Sequence, residues 1–144
     1  MRYNYLPMTE RHLPQTDAYP GAIILSEAVL DPNAGRTPEE RAMELGQIVR
    51  AAADRDSHKF KEGNKAYARN PVGEDLTFEF SRNGDVIIRV GPQSRPDDIY
   101  AISRDGQQHL YLPSSSNRER RSLGREDLDG LVSHVRGAKL IDIS

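Results

Sequence analysis

The sequence predicts an α+β fold, a four- or five-stranded antiparallel β-meander packed against two main helices. Three observations carry the prediction. Leu76 to Leu112 holds two apolar-rich stretches, each turning on a similar segment, Ser81-Arg82-Asn83-Gly84 and Ser103-Arg104-Asp105-Gly106. Asn, Asp and Gly tolerate positive φ, so both segments read as hairpin closures. Leu45, Ile48, Val49 and Ala52 recur at helical spacing behind Thr37-Pro38-Glu39-Glu40, and Leu128, Leu131, Val132 and Val135 form a second such stripe between Glu126 and Gly137; apolar residues on that period face a core.

Residues 1–36 read as an extended arm and a short apolar element belonging to the same domain as residues 37–144. Pro7, Pro14 and Pro20, with Tyr3, Tyr5 and Tyr19, suit an extended chain, because proline removes a donor and fixes φ. Gly21 to Leu30 is apolar and short, and leans to a helix. Asp31-Pro32-Asn33-Ala34-Gly35 ends it in a turn, and Arg36 and Ala42 occupy the glycine and bidentate-acid positions that a calcium loop requires, so no such site is expected there.

Thr37 caps the first main helix, Pro38 fits its first turn and Glu40 completes a capping box. The helix is expected to end near Asp56. From Arg55 to Arg69, three of the four lysines alternate with Phe60 and Tyr67. Cations with interleaved rings are what a single-stranded nucleic acid needs. Asp54, Asp56 and Glu62 dilute that charge, and the stretch reads as a solvated connector.

In the first hairpin a two-residue Asn83-Gly84 loop sets Arg89 opposite Phe78. A three-residue loop, Arg82-Asn83-Gly84, pairs Phe80 with Val86, Phe78 with Ile88 and Leu76 with Val90. A one-residue slip exchanges the two faces, so burial selects the longer loop. The same loop in the second hairpin puts Tyr100, Ile102, Leu110 and Leu112 on the core face. The outer face then carries Thr77, Glu79, Ile87, Arg89, Ala101, His109 and Tyr111. After the sheet, Arg118, Arg120 and Arg121 sit in a polar loop suited to phosphate or an acidic partner surface. A helix over Glu126 to Arg136 follows, and Leu140, Ile141 and Ile143 offer a short last strand.

The chain has 144 residues, 20 basic and 22 acidic, and no cysteine. This length supports one domain with a real core. The near-balanced charge disfavours a broad nucleic-acid surface, and the missing thiols exclude disulfides and cysteine-ligated metals. The first residues lack the apolar core of a signal peptide, and no run approaches the roughly 18 apolar residues of a membrane span. The expectation is a cytoplasmic protein, or one exported by a specialised machine without a cleavable signal.

No metal site, cofactor motif or nucleophile elbow is present. The expected function is therefore a non-enzymatic protein–protein interaction module, such as a secretion chaperone, adaptor or mobile-element inhibitor. It would bind another protein through the outer sheet face or a strand edge, using Arg89, His109, Tyr111, Arg118, Arg120 and Arg121; a homodimer through the same surface is compatible with this reading. The alternative is a small RNA-cleaving or RNA-binding protein using His109, His58 and Arg104 as base, acid and cation around a phosphate.

Overall fold

The computed structural model describes residues 21–33, 36–92, 98–105, 109–113, 121–122 and 124–143. The proline-containing arm before Gly21, and with it most of the polar loop that carries Arg118 and Arg120, lies outside them. In chain order the elements are α1 (Glu27–Leu30), α2 (Pro38–Arg55), α3 (Ser57–Phe60), β1 (Lys61–Glu62), β2 (Lys65–Arg69), β3 (Asp75–Phe80), β4 (Val86–Val90), β5 (Asp98–Ile102), β6 (His109–Pro113), β7 (Arg121–Ser122), α4 (Arg125–Val135) and β8 (Lys139–Leu140). Strands β1 to β7 pair antiparallel in sequence order and β8 pairs with β2. The fold is thus an α+β meander whose four expected strands, β3 to β6, are extended by β1 and β2 on one side and by β7 on the other.

The first hairpin takes the register that its apolar pattern demands. Leu76 faces Val90, Phe78 faces Ile88 and Phe80 faces Val86, and all six are buried. Ser81 N donates to Asp85 O, and Gly84 takes φ +93° between them. On β2, Ala66 lies opposite Phe78 and Ala68 opposite Leu76; the small residues leave room for the large ones. The stretch expected as a solvated connector is therefore mostly ordered structure: α3, β1 and β2. Phe60 is buried and Tyr67 half-buried on the other face.

The second hairpin departs from expectation. Ile102 pairs with His109, Tyr100 with Tyr111 and Ile99 with Leu112, one residue away from the three-residue register. Positions 109 and 111 consequently fall on the face of Tyr100 and Ile102, while positions 110 and 112 fall on the outer face beside Ala101 and Ile99. Ile99 and Ala101 are as apolar as Tyr100 and Ile102, so burial alone does not select the register of β5, and Arg104 N adds a contact to the Asp85 carboxylate of the neighbouring loop at 3.0 Å.

Helix α2 begins as its sequence requires. Thr37 Oγ1 accepts from Glu40 N at 3.1 Å and Glu40 Oε1 accepts from Thr37 N at 2.9 Å, the reciprocal capping box. Ala42, Leu45, Val49 and Ala53 are buried against the sheet. Helix α4 has Asp127 accepting from Gly124 N and buries Leu128, Leu131, Val132 and Val135 in the same core. The Gly21 to Leu30 stretch, expected to lean to a helix, divides. Its first residues join the sheet, with Ile23 N donating to Ala138 O and Leu140 N to Gly21 O, and only Glu27–Leu30 is helical.

A buried arginine ties the helices together. Arg41, 3% exposed, donates from Nε and Nη2 to Val29 O at 3.2 and 2.7 Å and from Nη1 to Asp129 Oδ1 at 2.8 Å. These bonds fasten α1 to α2 and α2 to α4. Replacing Arg41 by Ala leaves the Val29 carbonyl unpaired and a cavity behind, so a loss of roughly 2–4 kcal/mol is expected. Asp129→Asn, acting at a 42% exposed carboxylate, should cost less than about 1 kcal/mol. Urea unfolding of the two variants separates these values; equal losses would show that the ion pair, not the carbonyl contact, supplies the stabilisation.

Candidate functional site

With the helices on one face, the other face of the meander is left to side chains. Its cross-strand rows are Tyr67–Thr77–Arg89–Ile99 and Lys65–Glu79–Ile87–Ala101. Thr77 is buried between its neighbours Tyr67 and Arg89, a correction to its expected place on an open surface, whereas the other seven are half-buried. Arg89 Nη1 donates to Glu79 Oε1 at 2.5 Å, with both side chains 29% exposed. Ile141 and Ile143, 36% and 38% exposed, extend the apolar surface past β2, where Ile141 N donates to Tyr67 O. A shallow pocket between Tyr67, Thr77 and Ile141 opens there. Lys65 carries no ion pair among the described residues. The face is thus apolar, crossed by one internally neutralised ion pair, with an uncompensated cation at its edge.

Of the residues expected to bind, Arg89 alone is placed on this face with its side chain. His109 and Tyr111 fall by register on the opposite one, and Arg121 pairs with Tyr111 in β7. Arg118 and Arg120 lie outside the described residues. The alternative trio of His109, His58 and Arg104 is not drawn into one cluster. His58, 76% exposed, stands 2.6 Å from Asp56 in the helix that leads into β1, and β2 to β5 lie between β1 and the strand of His109. Arg104 shares the loop end of the sheet with His109.

A polar cluster that no local motif announces joins α4 to the β2–β3 turn. His134 Nδ1 lies 2.9 Å from Glu74 Oε1, and its Nε2 lies 4.0 Å from Asp98 Oδ2, the latter too long for a hydrogen bond. Asn70, nearly fully buried, donates to Glu74 Oε1 at 2.7 Å and to His134 O at 2.9 Å, and its Oδ1 accepts from Glu74 N. Both ring nitrogens of His134 face carboxylates, and the adjacent Ser133 hydroxyl donates to Asp129 O, so the cluster offers no activated nucleophile. Its geometry is that of a clamp, with the imidazole at the helix C-terminus where positive charge is favoured. The signal was unreadable in sequence because Glu74 and His134 are far apart in the chain. No group of three or more acidic, histidine or cysteine side chains suited to a metal ion occurs among the described residues, nor does a helix long and apolar enough to cross a membrane.

Comparison with protein-family models, with curated proteins and with solved structures returns no match. The chemistry of this chain is therefore argued from its own residues.

The clamp has a pH signature. The His134 and Asn70 hydrogen bonds hold the Glu74 carboxyl below the ordinary carboxylate range. A depressed folded-state pKa contributes stability that is complete above the unfolded value, roughly 4.3, and is lost as pH falls through the folded one. Wild type and Glu74→Gln should therefore differ fully above roughly pH 4.3 and converge as pH falls through the acid interval below it. Parallel stability curves over that interval, measured by thermal unfolding, would show that the carboxylate charge is unimportant to the clamp.

Proposed function

We propose that the protein is a non-enzymatic interaction module that binds an extended segment of another protein on the outer face of its sheet. The observation that carries this reading is the composition of that face. Tyr67, Ile87, Ile99 and Ala101 are half-buried and lie on the face away from the helices among the described residues, and the central cation and anion satisfy one another. Such a surface loses little on desolvation, since its charges are already paired, and gains from covering its apolar atoms.

Size decides between a segment and a second copy. Five strands at roughly 4.8 Å spacing and five residues at roughly 3.4 Å rise give a footprint of roughly 400 Å². A standard interface buries about 800 Å² per partner. The face matches the apolar centre of a contact with one extended segment better than the whole of a stable dimer. Lys65 at its margin, without an ion pair among the described residues, favours a segment that carries an acidic residue beside its apolar ones.

Panning the full-length chain against a displayed peptide library tests the reading. Enriched peptides are expected to alternate apolar residues with at least one acid, and to bind Ile87→Asp at least tenfold more weakly, about 1.4 kcal/mol. Lys65→Glu should weaken acidic peptides selectively. Light scattering should give a monomer. A stable dimer that Ile87→Asp dissociates would assign the face to self-association, and peptides insensitive to both substitutions would remove it as the binding surface.

A further inference from the structure

At the other end of the molecule, one face of α2 meets the two hairpin loops around a hollow of about 190 Å³. Gly46, Val86 and Ile102 form its apolar base, Met43 one wall, and Arg50 and Arg104 are its charged residues. Met43, Gly46 and Arg50 share one helix face by their spacing. The hollow exists because position 46 has no side chain. A Cβ there would meet Ile102 Cγ2 at 3.5 Å and Val86 Cγ2 at 3.8 Å, ordinary contacts that the core would accept. Glycine in a helix interior is the poorer helix former, so packing does not explain the choice and the space itself is the distinguishing feature.

The two arginines are held and electrically unbalanced. Arg50 Nη2 donates to Ser81 O at 2.9 Å and to Asp85 O at 3.4 Å, and its guanidinium lies 5.0 Å from the centre of the Phe80 ring. Its Nε is buried without a partner. Arg104 has its aliphatic stem laid across Gly84, where a Cβ would come within 2.9 Å of it, and its backbone N is tied to Asp85 Oδ1. Neither guanidinium has a carboxylate partner among the described residues. Among the described residues no carboxylate lines the hollow itself; Asp85 and Asp105 stand further out, on an open shelf that shares Met43, Gln47 and Arg104 with it.

We propose that this hollow is a binding site for a small free carboxylic acid with a benzene-sized or branched aliphatic body. The volume sets the body, since an apolar cavity of about 150 Å³ already admits benzene. The charge sets the head, because a carboxylate can engage guanidinium donors in pairs, and two arginines facing an apolar space favour one anionic group. Asp85 and Asp105 on the shelf set the limit, since a second negative charge on the ligand would meet them. The site is separate from the outer face, so its occupancy does not depend on the interaction reading above.

Phenylacetate is the probe, titrated into the full-length protein and followed by amide chemical shifts. Saturable shifts are expected at Gly46, Gly84 and Ile102, with affinity at least about tenfold above that for the neutral phenylacetamide. Arg104→Gln should weaken phenylacetate binding at least about tenfold and leave phenylacetamide unchanged. Gly46→Ala should weaken both ligands at least about threefold while the thermal midpoint holds or rises, which separates a filled site from a damaged fold. Equal affinity for acid and amide, absence of saturable shifts, or indifference to Gly46→Ala would each overturn the proposal. A peptide ending in phenylalanine that binds more tightly than phenylacetate would also overturn it, by assigning the hollow to protein C-termini.

Discussion

Three cross-strand pairs, Leu76–Val90, Phe78–Ile88 and Phe80–Val86, decide which face of the sheet is buried, and most of the molecule follows from that decision. Strand side chains alternate, so fixing one register fixes every neighbour's inner and outer positions. Ala66 and Ala68 on one side, Tyr100 and Ile102 on the other, continue the buried face across β2 and β5. The apolar stripes of α2 and α4 close on it. The helices are then held to one another by Arg41, whose buried guanidinium would be costly without the Val29 carbonyl that accepts two of its donors.

The first hairpin was legible because only one register made a face wholly apolar. The second was not, and the residues show why. Ile99 and Ala101 on one side of β5 are as apolar as Tyr100 and Ile102 on the other, so a burial argument has little to choose between. The hydrogen bond from Arg104 N to Asp85 joins two loops that no local reading connects. Strand β2 was missed for a related reason. Lys65-Ala-Tyr-Ala-Arg69 alternates as a strand should, but alanine has little strand preference and contributes a faint apolar signal. The capping box of α2 and the helix stripes, being local, could be read directly.

Sites were less legible than elements because the groups concerned are long-range partners. His134 looked like an isolated residue on a helix until the fold placed Glu74, Asn70 and Asp98 around it. Arg50 carries no local signal, yet it bridges to Ser81 and Asp85 and lies on Phe80. The residues singled out for catalysis, His109, His58 and Arg104, were chosen for their chemical type alone. The meander separates His58 from His109 by the width of several strands, which is the reason that type without topology did not assemble a centre.

The outer face and the hollow are both products of the helix-side decision, but they differ in what they can recognise. The outer face spreads modest apolar area over several strands and neutralises its own central charge, so binding there would draw its energy from covered surface and would tolerate many sequences with the right alternation. The hollow sets two guanidiniums, without carboxylate partners among the described residues, over a few apolar atoms, so binding there would discriminate by charge and by volume. The two are joined by β4, which offers Ile87 and Arg89 to the outer face and Val86 to the base of the hollow. Because interiors are closely packed, a group seated against Val86 bears on the same strand that carries the outer surface. Strand β5 makes the same connection, with Ile102 in the hollow and Ile99 and Ala101 on the outer face.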